Sequence, residues 1–362
     1  MDQVYYLHGI NLLPQFGPAR LGRLWKLFRN WEKAFKASPG ELAKTGIETD
    51  ILNIFLAHRQ TVNLEMEMQK LEAEGIKLLS AQDSNYPQLL LEIPHYPPLL
   101  YYKGRMDIPD ELCIAVVGTR KITNYGRTVG PSIIQPLIEA GVTVVSGLAY
   151  GVDSQMQQLA VKARRRTIAI LGGGLDDKSF YPKQHLYLAQ EILNNRGAII
   201  SEYPPGTPPL KQNFVLRNRI IAGMCVGTVI IECALKSGSL ITARVALDQN
   251  RTVYAVPGSV YNEMSKGPNN LIKMGAKAIT EADDILDDLN LKPAKRKLQA
   301  PAVGDNEVET RILQQLSLEP MLIDDIIKQT ALDASDVTAA LVFLEIKGKV
   351  RNLGAQQYIR RR

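Results

Sequence analysis

The chain reads as an α/β protein: a Rossmann-like, doubly wound parallel sheet with a helical domain before it and a small winged-helix domain after it. Three observations predict this. Six short apolar runs, Cys113–Val117, Val142–Val145, Thr167–Leu171, Ala198–Ile200, Thr228–Ile231 and Thr252–Val256, lack polar alternation, as strands buried on both faces do. Helical patterns separate the runs, and strand–helix alternation builds parallel βαβ units with right-handed crossovers. The chain has 362 residues, 45% hydrophobic and 22% charged. That length suits two or three ordinary globular domains, each with a core of normal size.

Residues 1–75 carry apolar side chains at helical spacing: Leu21, Leu24, Leu27 and Phe28, then Leu64, Met68 and Leu71. Turns at Phe16-Gly17-Pro18 and Ser38-Pro39-Gly40 divide the helices. Residues 76–110 form a connector packed on the core, marked by Pro87, Pro94, Pro97, Pro98 and Pro109. The sheet domain spans 111–288. A linker follows at 289–305, where Lys292-Pro293-Ala294-Lys295-Arg296-Lys297 combines charge with proline. In 306–362 three apolar stripes recur: Ile312, Leu313 and Leu316; Ile323, Ile326 and Ile327; Val337, Leu341 and Leu344. Gly348 to Ile359 then reads as a two-stranded ribbon, so three helices and a wing are predicted. Asp324, Asp325, Asp333 and Asp336 make those helices acidic, which disfavours DNA contact and suits a protein-interaction or regulatory module.

Composition narrows the function. A net charge of +6 permits a polyanionic partner without requiring one. Cys113, Cys225 and Cys233 lie in or beside apolar runs with no CxxC pair, as buried thiols in a reducing cytosol do. Met1-Asp2-Gln3-Val4 shows neither a basic n-region nor an apolar h-region. The most apolar stretch, Ile220 to Ile231, falls short of the ~20 residues that span a bilayer. The expectation is a cytoplasmic protein that does not cross a membrane. His8, His58, His95 and His185 share no ligand spacing, so no metal is expected. No Walker A segment occurs. Gly172-Gly173-Gly174-Leu175-Asp176-Asp177 does not complete GxGxxG, so no dinucleotide cofactor is expected. Ser146 and Ser201 have no nucleophile elbow, and Asp153, Glu202 and Glu232 read as helix caps or loop anchors.

Ligands of an open parallel sheet bind beyond the carboxyl ends of its strands. There the sequence places Gly118-Thr119-Arg120, Ser146-Gly147-Leu148-Ala149-Tyr150-Gly151-Val152-Asp153, Gly172-Gly173-Gly174 and Ser201-Glu202-Tyr203-Pro204-Pro205-Gly206. Glu232 leads on to Ser237-Gly238-Ser239 just before a helix, a place suited to a phosphate. Leu210 to Arg219 sets Lys211, Arg217 and Arg219 around Phe214. Cations pair with phosphates and an aromatic ring stacks on an unpaired base, which is how single strands are held without sequence readout. Arg120 and Lys183 at neighbouring strand ends complete a basic pocket.

From Leu112 to Leu286 the chain resembles the DprA/Smf family of DNA-processing proteins. The resemblance rests on Val117-Gly118-Thr119-Arg120, the Ser146–Asp153 segment, Gly172–Asp176 with Tyr181-Pro182, and the Ser201–Gly206 turn. It continues in Arg217-Asn218-Arg219-Ile220-Ile221-Ala222-Gly223, Ser237-Gly238-Ser239-Leu240-Ile241-Thr242-Ala243 and Ala255-Val256-Pro257-Gly258. It implies a non-catalytic homodimer that binds and protects single-stranded DNA and helps load the RecA recombinase during natural transformation (competence). Carried over by motif, Arg120, Lys183, Lys211 and Arg217 contact phosphates, and Phe214 stacks on a base. Gly118, Thr119, Ser146, Gly147, Ser237, Gly238 and Ser239 line the DNA site, while Asn218 and Arg219 order the loop and helix start. The N-terminal region is similar to the family's helix-hairpin-helix or sterile-alpha-motif (SAM) domain. Two departures stand out: Met156-Gln157 replaces the usual Ala-His, and Val215 the usual proline after the phenylalanine. The alternative is a Rossmann-like hydrolase acting on nucleotides, with Glu202 or Glu232 catalytic. An oxidoreductase is disfavoured by the missing GxGxxG.

Overall fold

The computed structural model describes residues 2–106, 112–291, 304–317 and 320–360. The chain divides into two compact units, 1–293 and 294–362. Most of the linker expected at 289–305, and Pro109 of the connector, lie outside the described residues.

The first unit opens with six helices: α1 (Gln3–Asn11), α2 (Pro18–Phe28), α3 (Trp31–Lys36), α4 (Pro39–Ala43), α5 (Thr49–Thr61) and α6 (Leu64–Ala73). Their starts follow local chemistry. Asp2 and Asn30 cap α1 and α3 by accepting backbone N–H bonds. Ser38 and Glu41 form a capping box on α4, and Pro18 and Pro39 sit at first helical positions, where no N–H is needed. Leu7, Ile10, Phe16, Leu21, Leu24 and Phe55 are buried together. Leu27, expected in the same stripe, faces water instead.

The connector does more than pack on the core. It supplies β1 (Lys77–Ser80), the short α7 (Gln88–Leu91) and β2 (Leu99–Gly104), and both strands join the main sheet antiparallel. The remaining strands are β3 (Cys113–Val117), β4 (Thr143–Ser146), β5 (Thr167–Ile170), β6 (Ala198–Ser201), β7 (Gly227–Ile230), β8 (Thr252–Ala255) and β9 (Lys277–Ala278). The six predicted runs therefore all form strands, and the five pairings among them are parallel. The sheet order is β1-β2-β6-β5-β4-β3-β7-β8-β9. It grows leftward from β3 to β6, then returns to place β7 on the other side of β3. That reversal opens a crevice at the carboxyl ends of β3 and β7. On one face lie α8 (Asn124–Glu139) and α9 (Val152–Lys162), burying Ile133, Ile134 and Met156. The helix α10 (Leu186–Asn194) joins the core of the N-terminal helices. The other face carries α11 (Lys211–Gly223), α12 (Gly238–Asp248) and α13 (Lys266–Lys273), and α14 (Asp283–Asp288) closes the domain.

The second unit holds α15 (Glu307–Gln315), α16 (Ile323–Thr330) and α17 (Ala334–Ile346). Its sheet runs β10 (Met321–Leu322), β12 (Gln357–Arg360), β11 (Val350–Gly354). The three apolar stripes meet in one core. On α17 the opposite face is apolar too, and Val342, Phe343 and Ile346 are exposed on it.

The helical region is tied to the sheet by a buried polar contact. His8 Nδ1 lies 2.8 Å from the Tyr101 hydroxyl of β2, which also accepts from Asn11 Nδ2 at 3.1 Å. Burial holds the His8 imidazole down at about 4. In the unfolded chain it takes its proton near 6.5, so stability is retained above that value and lost as the pH falls toward 4. Denaturant unfolding at pH 7.0 and 4.5 is expected to show a loss of about 2 kcal/mol from this group, and His8→Gln should remove that share. An acid sensitivity unchanged in the variant would refute the assignment.

Candidate nucleic-acid interface

The switch-point crevice is a real cavity of about 680 Å³. Gly118 and Arg120 follow β3, and Lys236 with Ser237-Gly238-Ser239 follows β7. From α11 come Lys211, Phe214, Val215, Arg217 and Asn218, and Tyr181 closes one side. The glycines act through space rather than flexibility here. A Cβ at Gly172 would stand 3.0 Å from the Phe214 ring, so the bare backbone lets that ring settle against the end of β5.

Phe214 is the centre of the arrangement. Its ring is 5.7 Å from that of Tyr181 at 58°, and the guanidinium groups of Arg120 and Arg217 each stand 5.9 Å from its centroid. The ring is partly exposed, and Arg120, Lys211 and Lys236 are exposed. None of these three cations forms an ion pair among the described residues. An aromatic platform bordered by free positive charge suits an unpaired base and its phosphates. Ser237 caps α12, accepting from Ser239 N at 3.3 Å, and Gly238 N–H stands at the same helix start.

Arg217 is placed differently from the other cations. It is 5% exposed, and its NH1 donates to Gly147 O at 3.0 Å and to Ile170 O. Its Nε donates to Asn218 Oδ1 at 3.3 Å. A Cβ at Gly147 would come within 2.5 Å of the guanidinium, so a larger residue there would displace Arg217. Burial lowers the Arg217 pKa to about 10, opposed by the Asp153 carboxylate, and the group stays cationic at neutral pH. Asp153 is pushed up by burial, with Arg217 and the Gly147 N–H, 3.1 Å from Oδ2, pulling the other way. The expected phosphate ligand is thus bound into the strand ends, and its order-keeping role exceeds that of its neighbours.

The other predicted residues divide in the same way. Ser146 is wholly buried and donates to Val116 O at 2.7 Å, so it and Gly147 sit behind the cavity lining. Thr119 receives Lys121 N–H at 3.2 Å and lies beside the cavity without lining it. Lys183 is exposed two residues beyond Tyr181, its ammonium donating to Asp177 O. Arg219 pairs with Glu202 on the far side of α11. Asn218 lines the cavity and donates to Gly238 O at 3.5 Å. Lys236 escaped sequence reasoning; its signal was its place beside the Ser237 turn.

The carboxylates a hydrolase would need are occupied. Glu232 accepts from Thr123 N and Thr123 Oγ1, both at 2.6 Å, and so anchors the start of α8. The family departures also have structural partners. Met156 packs in the core below α9, and Gln157 accepts from Leu148 N at 3.2 Å while donating to Ile168 O at 3.0 Å. No cluster of metal-ligating side chains occurs among the described residues, and none of their helices is long and apolar enough to cross a membrane.

Strand order, crevice position and lining define a Rossmann-like protein with an open cationic cavity at its switch point. Comparison with known proteins then fixes the kind. The family model for DNA recombination-mediator protein A matches residues 77–290, and that for the DprA winged helix domain matches 296–356. The protein Smf of Synechocystis sp. is 33% identical over 401 aligned positions, covering 99% of both chains. The structure of DNA processing protein A from Streptococcus pneumoniae superposes with a TM-score of 0.67 at 32% identity, covering 79% of this chain and 96% of that one. A Helicobacter pylori DNA processing protein A, described for its single-stranded DNA binding mode, matches with a TM-score of 0.52 at 30% identity over 59% of this chain and 95% of its own. The chain belongs to the DprA/Smf family of recombination mediators.

The burial of Arg217 gives a clear expectation. Arg217→Ala should lose about 3 kcal/mol in denaturant unfolding, because Asp153 and two carbonyls are left unmatched. Lys211→Ala should stay within about 0.5 kcal/mol of wild type. Equal stabilities for the two variants would show that Arg217 does not hold the strand ends.

Proposed function

We propose that this chain binds single-stranded DNA in the switch-point cavity and acts as a mediator without catalysis. The single observation that carries the reading is Phe214, a partly exposed ring flanked by Arg120 and Tyr181 with Lys211 one turn away. Arg120, Lys211 and Lys236 take the phosphates, assisted by Lys183, and Phe214 takes a base. Gly118 and the Ser237-Gly238-Ser239 turn let the backbone approach the strand, with Thr119 at the margin. Arg217, Asn218, Ser146 and Gly147 hold the cavity's shape, and Arg219 supports α11 from behind. The relative from Helicobacter pylori, described for binding single-stranded DNA, supports this assignment.

The wider role follows the family. In this reading the chain works in the cytoplasm as a homodimer. It protects incoming single strands and passes them to the RecA recombinase. The hydrolase alternative is disfavoured because Glu232 is spent on Thr123 and Glu202, through Oε2, is paired with Arg219 away from the switch-point cavity.

The test is a salt titration of binding to fluorescent oligo-dT with duplex competitor. Log affinity should fall linearly with log salt, with a slope of about −0.7 per phosphate neutralised, and Lys211→Ala should make it shallower by about that amount. Phe214→Ala should cost about 1–3 kcal/mol with the slope nearly unchanged. Equal preference for duplex, or full affinity in both variants, would remove the proposal.

A further inference from the structure

A second cavity, of about 820 Å³, lies behind the first, and α11 is the wall between them. Lys211, Phe214 and Asn218 face the first cavity, while Gln212, Leu216 and Arg219 face the second. Along the chain the two alternate into the helix start: Pro208 and Leu210 line the second, Pro209 and Lys211 the first.

Three features define what the second cavity would hold. Part of its wall is apolar, formed by Pro94, Pro98, Pro204, Pro208 and Leu216. Glu202 and Arg219 also line it, paired to each other through Oε2 and NH2, with side chains 8% and 17% exposed. The remaining polar atoms of this pair, Glu202 Oε1 and Arg219 NH1, are buried with no hydrogen-bond partner among the described residues. A buried acceptor and a buried donor side by side call for a ligand edge that offers one of each. Finally, the exposed Arg23 stands at the lining, with only its NH1 engaged, on Gly46 O at 2.8 Å. Arg20 beside it is already neutralised by Glu48.

A flat heterocycle with adjacent donor and acceptor, attached to a phosphate, meets all three conditions. We infer that this second cavity takes a nucleobase, its hydrogen-bonding edge against Glu202 and Arg219 and its phosphate toward Arg23. The base can come from the bound strand, in which case the inference rests on the proposed single-strand binding, or from a free nucleotide. Prolines and leucines give the ring apolar faces, while the ion pair supplies the edge. Charge alone would not draw a base to this place.

The experiment is photo-crosslinking of the full chain with an oligo-dT carrying 5-iododeoxyuridine, and separately with 5-iododeoxyuridine monophosphate, followed by peptide mapping. Phe16, His95 and Tyr203 line only the second cavity, and Tyr181 and Phe214 only the first. Crosslinks to both sets are expected with the oligonucleotide. Leu216→Trp, at an exposed position outside the first cavity, should reduce the Phe16, His95 and Tyr203 adducts at least fivefold and spare those at Tyr181 and Phe214. Arg23→Ala, on the exposed surface, should reduce the same adducts severalfold if the tryptophan variant fails to fold. Oligonucleotide adducts confined to Tyr181 and Phe214, with none from the monophosphate at the second set, would overturn the inference and leave the proposed function intact. Second-set adducts from the monophosphate alone would assign the cavity to a free nucleotide. Absence of oligonucleotide binding altogether would remove the proposed function, and the monophosphate arm would still decide this cavity.

Discussion

Where β4, β5 and α11 converge, a guanidinium is held almost out of contact with water. Arg217 reaches from α11 to the carbonyls of Gly147 and Ile170, and the Asp153 carboxylate balances its charge while holding the Gly147 N–H. Two strand ends, a helix start and a helix of the opposite layer are thereby fixed to one another. Such a network costs desolvation on both ions, and it survives because each remaining polar atom finds a partner. The rest of the cavity is referenced to it. Phe214 stands over the same guanidinium one turn earlier on α11, so the orientation of the aromatic platform depends on a residue that itself reaches little solvent.

The carboxylates near the strand ends are engaged in the same way. Asp153 accepts from the Gly147 N–H, Glu202 pairs with Arg219, and Glu232 anchors the start of α8. The exposed charge that remains is positive and sits on Arg120, Lys211 and Lys236. Engaged carboxylates and unpaired cations together leave this surface with a positive potential, which favours a polyanion.

Much of this was legible in the sequence, for reasons that differ by element. The six central strands are buried on both faces, so their apolar runs are unbroken and easy to read. β1 and β2 were hidden because they flank a proline-rich segment toward one side of the sheet, where the pattern is weak and half the residues are less than fully buried. The winged-helix stripes were clear because one small core collects all three. In the cavity, residue types were readable but burial was not. Lys211 and Arg217 look alike in a charged segment, and only the helix face tells that one meets solvent and the other carbonyl oxygens. Glu202 and Arg219 are seventeen residues apart, and their joint role depends on the return of the chain across the sheet.

The sheet's margins carry a consequence for assembly. At one end β9 has only two residues, Lys277 and Ala278, both exposed; at the other, β1 has four and begins with Lys77. Backbone ladders this short, guarded by lysine ammonium groups, resist the approach of a neighbouring strand. Two copies of this protein therefore have no ready way to zip their sheets into one continuous ribbon. The margins of the main sheet thus discourage association through backbone pairing.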